Sequence, residues 1–262
     1  MNTVDFKNFI KENGLIFSLD ANKNLDNAIT EISVQYLILY AQIDALLKLY
    51  FENTNNKVIT FPIDYFDFAK WLGIEVKYDD LNYFRSNRFS LLLGKLCFED
   101  NKYIIILDRT APRLSQRYAL CHEIAHFLCL QNNLNCIEAK LPASQEEYMS
   151  DVVASFLMLP PRLAFKKAYD YTKDNDTRPV DLNEIFLHLS SCAQIPYYRV
   201  ITSYEHLKPL VYHLRRADYR QAIESIVSKK FKTSQSGNNK LIINAVKEIL
   251  LEGSIVAEDF FV

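Results

Sequence analysis

RYALCHEIAHFLCL, residues 117–130, is the segment from which the architecture of this chain can be inferred. Nearly every side chain in it is apolar, yet His122, Glu123 and His126 lie together in its middle. Ionisable groups in apolar surroundings carry a large desolvation penalty unless they have a partner. The segment therefore predicts a buried helix that holds three polar groups for a specific partner.

The spacing of the two histidines indicates that this partner is a metal ion. Residues four apart on a helix lie one above the other, so the imidazoles of His122 and His126 point the same way. This HExxH pattern can bind one Zn²⁺, and Glu123 beside it can take a proton from an attacking water. Two core histidines with backbone partners are the alternative interpretation of the same pattern.

A catalytic zinc site needs a third protein ligand. A third histidine six residues after His126 is typical of one class of HExxH site, but that position is Asn132. Downstream, Glu147 and Asp151 lie four apart on a predicted helix, on a face that is otherwise small or apolar. This pair is explained if Glu147 binds the metal and Asp151 orients a ligand histidine through its far ring nitrogen.

Three alternatives for the third ligand stay open at this point. Residues 144–147 match a capping box, in which Glu147 would bind only the backbone of its own helix. Glu138 and Glu146 are competing acids. Cys129 follows the first histidine by seven residues and is a further possible ligand.

Strands and helices are predicted around this segment. A short helix ends near Leu72, and residues 74–78 alternate as a strand. Residues 89–98 and 103–107 are strand-like and are joined as a hairpin. The helix over residues 114–130 follows, and then a helix over residues 144–159 that stops at Pro160 and Pro161 because proline lacks the backbone donor.

Both ends of the chain are predicted to be helical. Helices are expected over residues 4–53, 180–192 and 197–228, and a flexible linker over 233–239 leads to a last helix over 240–251. We predict three regions: a helical N-terminal extension over residues 1–57, a central domain over 58–200 and a helical C-terminal region over 201–262.

Composition excludes several classes of protein. The 262 residues are 49% hydrophobic with a net charge of -2, which gives no general attraction to nucleic acid or membranes. Five glycines without a phosphate-binding motif disfavour nucleotide chemistry, and five cysteines without a CxxC pair disfavour a disulfide framework. No signal peptide is evident, and the longest apolar helical run, residues 34–51, is interrupted by polar side chains. We expect a cytoplasmic protein.

These motifs together resemble the ImmA/IrrE family of metallopeptidases. The resemblance rests on residues 117–126 followed by EYMSDVVASFLMLP, residues 147–160, which is similar to the family pattern ExxA[ND]xFAxxLLMP. It covers about residues 58–200. Ser150 stands where alanine is usual and Val153 where phenylalanine is usual, and we expect neither difference to alter the chemistry.

The resemblance implies an α+β fold with a zincin-like core, in which a small mixed sheet packs on the HExxH helix between helical flanking regions. It implies that His122, His126 and Glu147 bind zinc, that Glu123 is the general base and that Asp151 supports a histidine. Family members resemble anti-repressor proteases of mobile elements and stress responses that cut a helix-turn-helix repressor. We find no helix-turn-helix in this chain, so the repressor would be a separate protein.

The group that stabilises the transition state is not chosen by the sequence. The downstream candidates are His188, Tyr197, Tyr198 and Arg199. For Arg117 we expect a structural ion pair.

Two other functional interpretations remain. The chain can be an interaction module that uses this fold to bind a repressor or toxin without cleaving it, although an intact Glu123 favours the enzyme. The basic segment over residues 208–232 can be a phosphate-binding patch, but a solvated helix face is the more typical explanation. The sequence makes no prediction of the oligomeric state.

Overall fold

Helices pack around a mixed three-stranded sheet in the computed structural model of the protein. The structure describes residues 28–54, 60–81, 92–133, 143–175, 178, 180–214 and 246–248. In chain order its elements are α1 (Ala28–Asn53), α2 (Tyr65–Trp71), β1 (Ile74–Asp79), β2 (Gly94–Glu99), β3 (Lys102–Asp108), α3 (Arg113–Asn133), α4 (Ala143–Met158), α5 (Pro161–Asp174), α6 (Leu182–Ala193) and α7 (Tyr197–Leu214). Helices together with a small sheet confirm the predicted α+β fold class.

The sheet has the strand order β1-β3-β2, with β1 parallel and β2 antiparallel to the central strand. The predicted hairpin is confirmed: Asp100 and Asn101 connect β2 to β3, and both have positive φ values, 50° and 60°. Two residues with positive φ form the tight turn whose twist matches that of the flanking strands. The hairpin fixes β2 as an edge of the described sheet, against α3.

Helix α3 is buried on nearly all of its faces, as its composition predicts. Leu120, Ile124 and Phe127 are fully buried, while the sheet and α4 pack against different sides of the helix. The helix begins after Pro112, where a missing backbone donor costs nothing because first-turn donors have no partner within a helix. The polar residues of α3 are therefore held at fixed positions by packing.

The N-terminal helix α1 shares a core with α3 and α4. Its side chains Leu37, Tyr40, Ile43, Leu46 and Leu47 are fully buried. The ring of Tyr40 lies 5.9 Å from that of Phe156 in α4, and its hydroxyl accepts a hydrogen bond from the backbone of Arg162 at 2.7 Å. The division into three regions stays a prediction, although the described part of the first region packs on the central one.

The segments 28–54 and 246–248 are also joined by charged side chains. Asp44 is almost fully buried in α1 and lies 3.2 Å from Lys48 and 3.4 Å from Arg162. Glu248 lies 2.7 Å from Lys48 and 2.8 Å from the same arginine. Because Asp44 is buried, its two cationic partners supply the charge that compensates its lost hydration.

Arg117, in the first half of α3, makes structural contacts. It donates hydrogen bonds to the carbonyls of Ile63 and Ala193, and its guanidinium lies 4.8 Å from the centre of the Tyr65 ring. We predicted an ion pair for it. The described partners are carbonyl oxygens and a ring, which tie α3 to the loop before α2 and to the end of α6.

Several predicted boundaries differ from the structure. Helix α5 is not among the predicted elements, because Pro160 and Pro161 predict only the end of α4; Pro161 is in fact the first residue of α5, a position that proline tolerates. Strand β2 starts at Gly94. The prediction of a strand from residue 89 is therefore wrong for residues 92 and 93. The predictions for residues 4–27, 89–91, 215–228 and 233–239 lie outside the described residues, and the last predicted helix is described only over 246–248, which is helical.

No helix in the described ranges is both long enough and apolar enough to cross a membrane.

Candidate metal centre

Three side chains from two helices converge at the bottom of an open cleft. Helix α3 contributes His122 and His126, and α4 contributes Glu147, and one ligand atom from each lies within 4.8 Å of the other two. The cleft has a volume of about 520 Å³ and is lined by α3, α4, β2 and Arg199 of α7. The fold therefore brings these three side chains of α3 and α4 together.

The distances between these atoms fit a single four-coordinate ion. The two Nε2 atoms are 3.1 Å apart, and the Glu147 carboxylate oxygens lie 3.3 Å from Nε2 of His122 and 3.5 Å from Nε2 of His126. Zinc bonds of ~2.0–2.2 Å arranged tetrahedrally place neighbouring ligand atoms about 3.3–3.6 Å apart. Three protein ligands also leave one position open for solvent or substrate.

The structure separates the alternatives for the third ligand. The Glu147 side chain is 63% exposed, and its carboxylate faces both histidines. Glu146 lies 4.0 Å from the Nδ1 of His126, on the side of the ring that faces away from the metal group. Cys129 is buried and is not part of that group, and Glu138 lies outside the described residues.

Asp151 lies behind His122, on the side of the ring away from the metal group. Its carboxylate is 3.1 Å from Nδ1 of His122 and accepts a hydrogen bond of 2.9 Å from the hydroxyl of Tyr118. Burial opposes a charge on His122, but the neighbouring carboxylate of Asp151 outweighs it and raises the pKa of His122. Burial raises the pKa of Asp151, and the hydrogen bonds from His122 and Tyr118 outweigh it, so that the pKa lies below its usual value. Asp151 thus remains an anion beside this imidazole.

Two residues of the centre were missed by sequence reasoning. Tyr118 holds Asp151, and its only signal is that it lies one helical turn before His122. Ser150 is fully buried, and its hydroxyl lies 3.0 Å from Nδ1 of His126. The signal for Ser150 is its position three residues after Glu147, on the same helical face, but a serine in place of alanine predicts no change in the chemistry.

Glu123 lies between the histidines and strand β2. A Cβ atom at Gly94 would lie 3.1 Å from Cγ of Glu123 and 3.2 Å from Cβ of Ala119, so glycine allows the strand to approach the helix. Burial raises the pKa of Glu123, whereas His122 and a hydrogen bond from the backbone of Leu96 act in the opposite direction. A carboxyl with a raised pKa is a stronger base, as proton transfer near neutral pH requires.

The comparison with protein families agrees with this geometry. Residues 69–197 match the model of the peptidase family M78, described as the IrrE N-terminal-like domain. The matched part of the chain belongs to the ImmA/IrrE family. No curated protein and no solved structure gives a significant match.

Membership of the ImmA/IrrE family supports a metallopeptidase-type function and a zincin-like fold. The matched range contains both histidines, Glu123, Glu147 and the strands that line the cleft. It also contains α2 from Ala69 onward, α5 and α6, and it ends at the first residue of α7. Helix α1 and the rest of α7 lie outside the match, although both pack on the matched part.

Arg199 is the predicted transition-state donor that lines the cleft of this ImmA/IrrE-family protein. Its guanidinium lies 3.5 Å from the centre of the Tyr118 ring, and its buried Nε atom has no hydrogen-bond partner among the described residues. Tyr198 is half exposed and lies beside the guanidinium at 5.1 Å. Arg199 is thus a cation held beside the metal group with unused donor capacity.

The other two candidates are engaged elsewhere. The ring of His188 stacks on Tyr171 with centroids 4.4 Å apart, and its Nε2 lies 3.4 Å from the sulfur of Cys192. The hydroxyl of Tyr197 donates to the side chain of Asn183 at 3.0 Å. Neither residue lines the cleft.

Proposed function

We propose that this protein is a zinc-dependent endopeptidase that cleaves a specific protein substrate. The observation that supports this most strongly is the convergence of His122, His126 and Glu147, with Glu123 beside them, in a cleft open to solvent. Two imidazoles and one carboxylate with a free fourth position are the ligand set of catalytic zinc. A purely structural zinc site would have four protein ligands.

The proposed reaction is hydrolysis of a peptide bond. His122, His126 and Glu147 would hold a zinc ion, which when bound would supply Lewis acidity for the scissile carbonyl and lower the pKa of the attacking water. Glu123 accepts a proton from that water as the oxygen attacks the carbonyl carbon, and it then donates the proton to the leaving amine as the carbon–nitrogen bond breaks. Arg199 lies on the cleft wall, from which its guanidinium can stabilise the negative charge that develops on the carbonyl oxygen.

The edge of β2 supports an extended substrate. The backbone of Asp108 donates to the carbonyl of Leu93, and antiparallel pairing alternates along a strand. The backbone groups of Gly94, Leu96 and Phe98 therefore point away from β3. Gly94 and Leu96 also line the cleft, so an extended peptide can add to this edge above the metal group. A segment that is already unfolded meets this requirement best.

We propose a helix-turn-helix repressor, encoded as a separate protein, as the substrate. The resemblance to anti-repressor proteases of mobile elements supports this substrate. We therefore propose that the reaction takes place in the cytoplasm. The test is incubation of the zinc-loaded protein with purified candidate repressors and, in parallel, with a peptide library prepared from a whole proteome. Mass spectrometry of new N-termini then identifies the cleaved bonds. If neither sample contained a new N-terminus, the proposal would be contradicted.

Replacing Arg199 with alanine is expected to lower kcat about 10²–10³-fold, the usual effect of removing a donor to a developing oxyanion. KM and zinc content are expected to change little, because the ligands and Asp151 keep their contacts. The measurement is steady-state cleavage of the best library peptide. Arg109→Ala is the matched control, since Arg109 is exposed and pairs with Asp80 away from the cleft. Loss of zinc in Arg199→Ala would assign the residue a structural role instead.

Replacing Gly94 with alanine is expected to lower kcat about tenfold to a hundredfold while zinc stays bound. The added methyl group would meet Cγ of Glu123 at 3.1 Å, so the carboxylate must shift, and small displacements of a catalytic group cost rate on this scale. Cleavage rate and zinc content of the same preparation are measured together. An unchanged rate would show that Glu123 does not depend on this close approach.

A further inference from the structure

The two ligand histidines are oriented by different chemical groups. Nδ1 of His122 faces the carboxylate of Asp151 at 3.1 Å, whereas Nδ1 of His126 faces the hydroxyl of Ser150 at 3.0 Å. The acid beside this Nδ1 atom is Glu146, but at 4.0 Å it is beyond hydrogen-bond distance. The hydroxyl is therefore the described group in place to orient the second histidine.

The identity of this group bears on which nitrogen of His126 carries the proton. In the neutral imidazole one ring nitrogen is a donor and the other an acceptor. Nε2 of His126 faces the metal group, so binding a cation there requires the proton to be on Nδ1. An acceptor beside Nδ1 stabilises that tautomer, and a donor beside it would stabilise the wrong one.

Ser150 is arranged to act as the acceptor. Its side chain is fully buried, and its hydroxyl faces Nδ1 of His126 at 3.0 Å. A hydroxyl has one hydrogen and two lone pairs, so its oxygen can accept the Nδ1 proton of His126 while its own hydrogen points elsewhere. Burial excludes water that would compete for this contact.

We propose that Ser150 is a positioning residue that fixes His126 in its Nδ1-protonated tautomer and thereby strengthens metal binding. The proposal rests on the metal site proposed above and adds a determinant that the family pattern, with alanine at this position, does not contain. Helix α4 then supplies a ligand and both orienting groups from one face, at residues 147, 150 and 151.

Ser150→Ala is expected to weaken zinc affinity about tenfold, at the lower end of the effect of removing the partner of a ligand histidine. The measurement is competition for zinc with a chromophoric chelator. Ser155→Ala is the matched control. Ser155 is a buried serine on the same helix whose hydroxyl lies 3.0 Å from Nδ1 of His206, a histidine outside the metal group. Its zinc affinity is expected to equal that of the wild type.

The second measurement is made on the metal-free protein. Nitrogen-15 spectra of labelled histidine, assigned by the signals that His126→Ala removes, report which nitrogen of His126 is protonated. We expect the Nδ1-protonated form in the wild type and a mixture in Ser150→Ala. Equal zinc affinities would overturn the proposal, as would an Nε2-protonated His126 in the wild type. If the wild type bound no zinc, the proposed function would fail while the tautomer measurement would still decide the role of Ser150.

Discussion

Replacing Glu123 with glutamine is expected to lower the rate of peptide hydrolysis about 10²–10⁴-fold, the range that a general base contributes. Glutamine has nearly the same shape and can keep the place beside Gly94, but it cannot accept a proton at neutral pH. The two histidines and Glu147 are untouched, so the variant is expected to retain one equivalent of zinc. Cleavage of a library peptide and the metal content of the same sample measure both effects.

The same variant separates the enzyme from the interaction module. Equal cleavage by wild type and Glu123→Gln would remove Glu123 from the role of base. If neither protein cleaved a candidate repressor but both bound it with the same affinity, the non-catalytic module would be the better description. Binding retained and cleavage lost only in the variant is the outcome that the peptidase requires.

Replacing His122 with alanine is expected to remove bound zinc altogether. The variant keeps His126 and Glu147 but loses a third of the protein ligands, and Asp151 loses the imidazole that it orients. Elemental analysis is expected to give one equivalent of zinc for the wild type and close to none for the variant. Added zinc is also expected to raise the Tm of the wild type only, because a ligand that binds the folded state stabilises it.

His188→Ala is the control for this experiment. His188 of α6 stacks on Tyr171 of α5 and does not line the cleft, so its loss is expected to leave zinc binding unchanged. A full equivalent of zinc in His122→Ala would mean that the metal is held by other residues, and the site proposed here would be wrong.

The parts of the site that were predictable depend on helical spacing. His122 and His126 lie one turn apart, as do Glu147 and Asp151, and the period of a helix fixes the relative direction of such pairs before the fold is known. Pairing the two helices through Glu147 required the family pattern as well, because the capping alternative satisfied the local sequence equally well. The structure places the Glu147 carboxylate toward the histidines.

The remaining parts depend on contacts between segments far apart in the chain. Choosing Arg199 over its neighbours required knowing that α7 packs beside α4 and lays the guanidinium on Tyr118. The role of Ser150 required the distance to His126, since a serine in place of alanine is compatible with any buried position. Gly94 had no visible role in the sequence, because its role is to leave space for a side chain of another element.

Because Glu147, Ser150 and Asp151 lie on one face of α4, the metal centre joins α4 to α3. A rotation or slide of α4 against α3 would withdraw the ligand and both orienting groups in a single movement. A partly coordinated ion is therefore disfavoured. By linkage, zinc binding stabilises the packed arrangement of the two helices by the same free energy by which that arrangement strengthens zinc binding. A partner that separates α3 from α4 would therefore inactivate the centre without contacting any of its ligands.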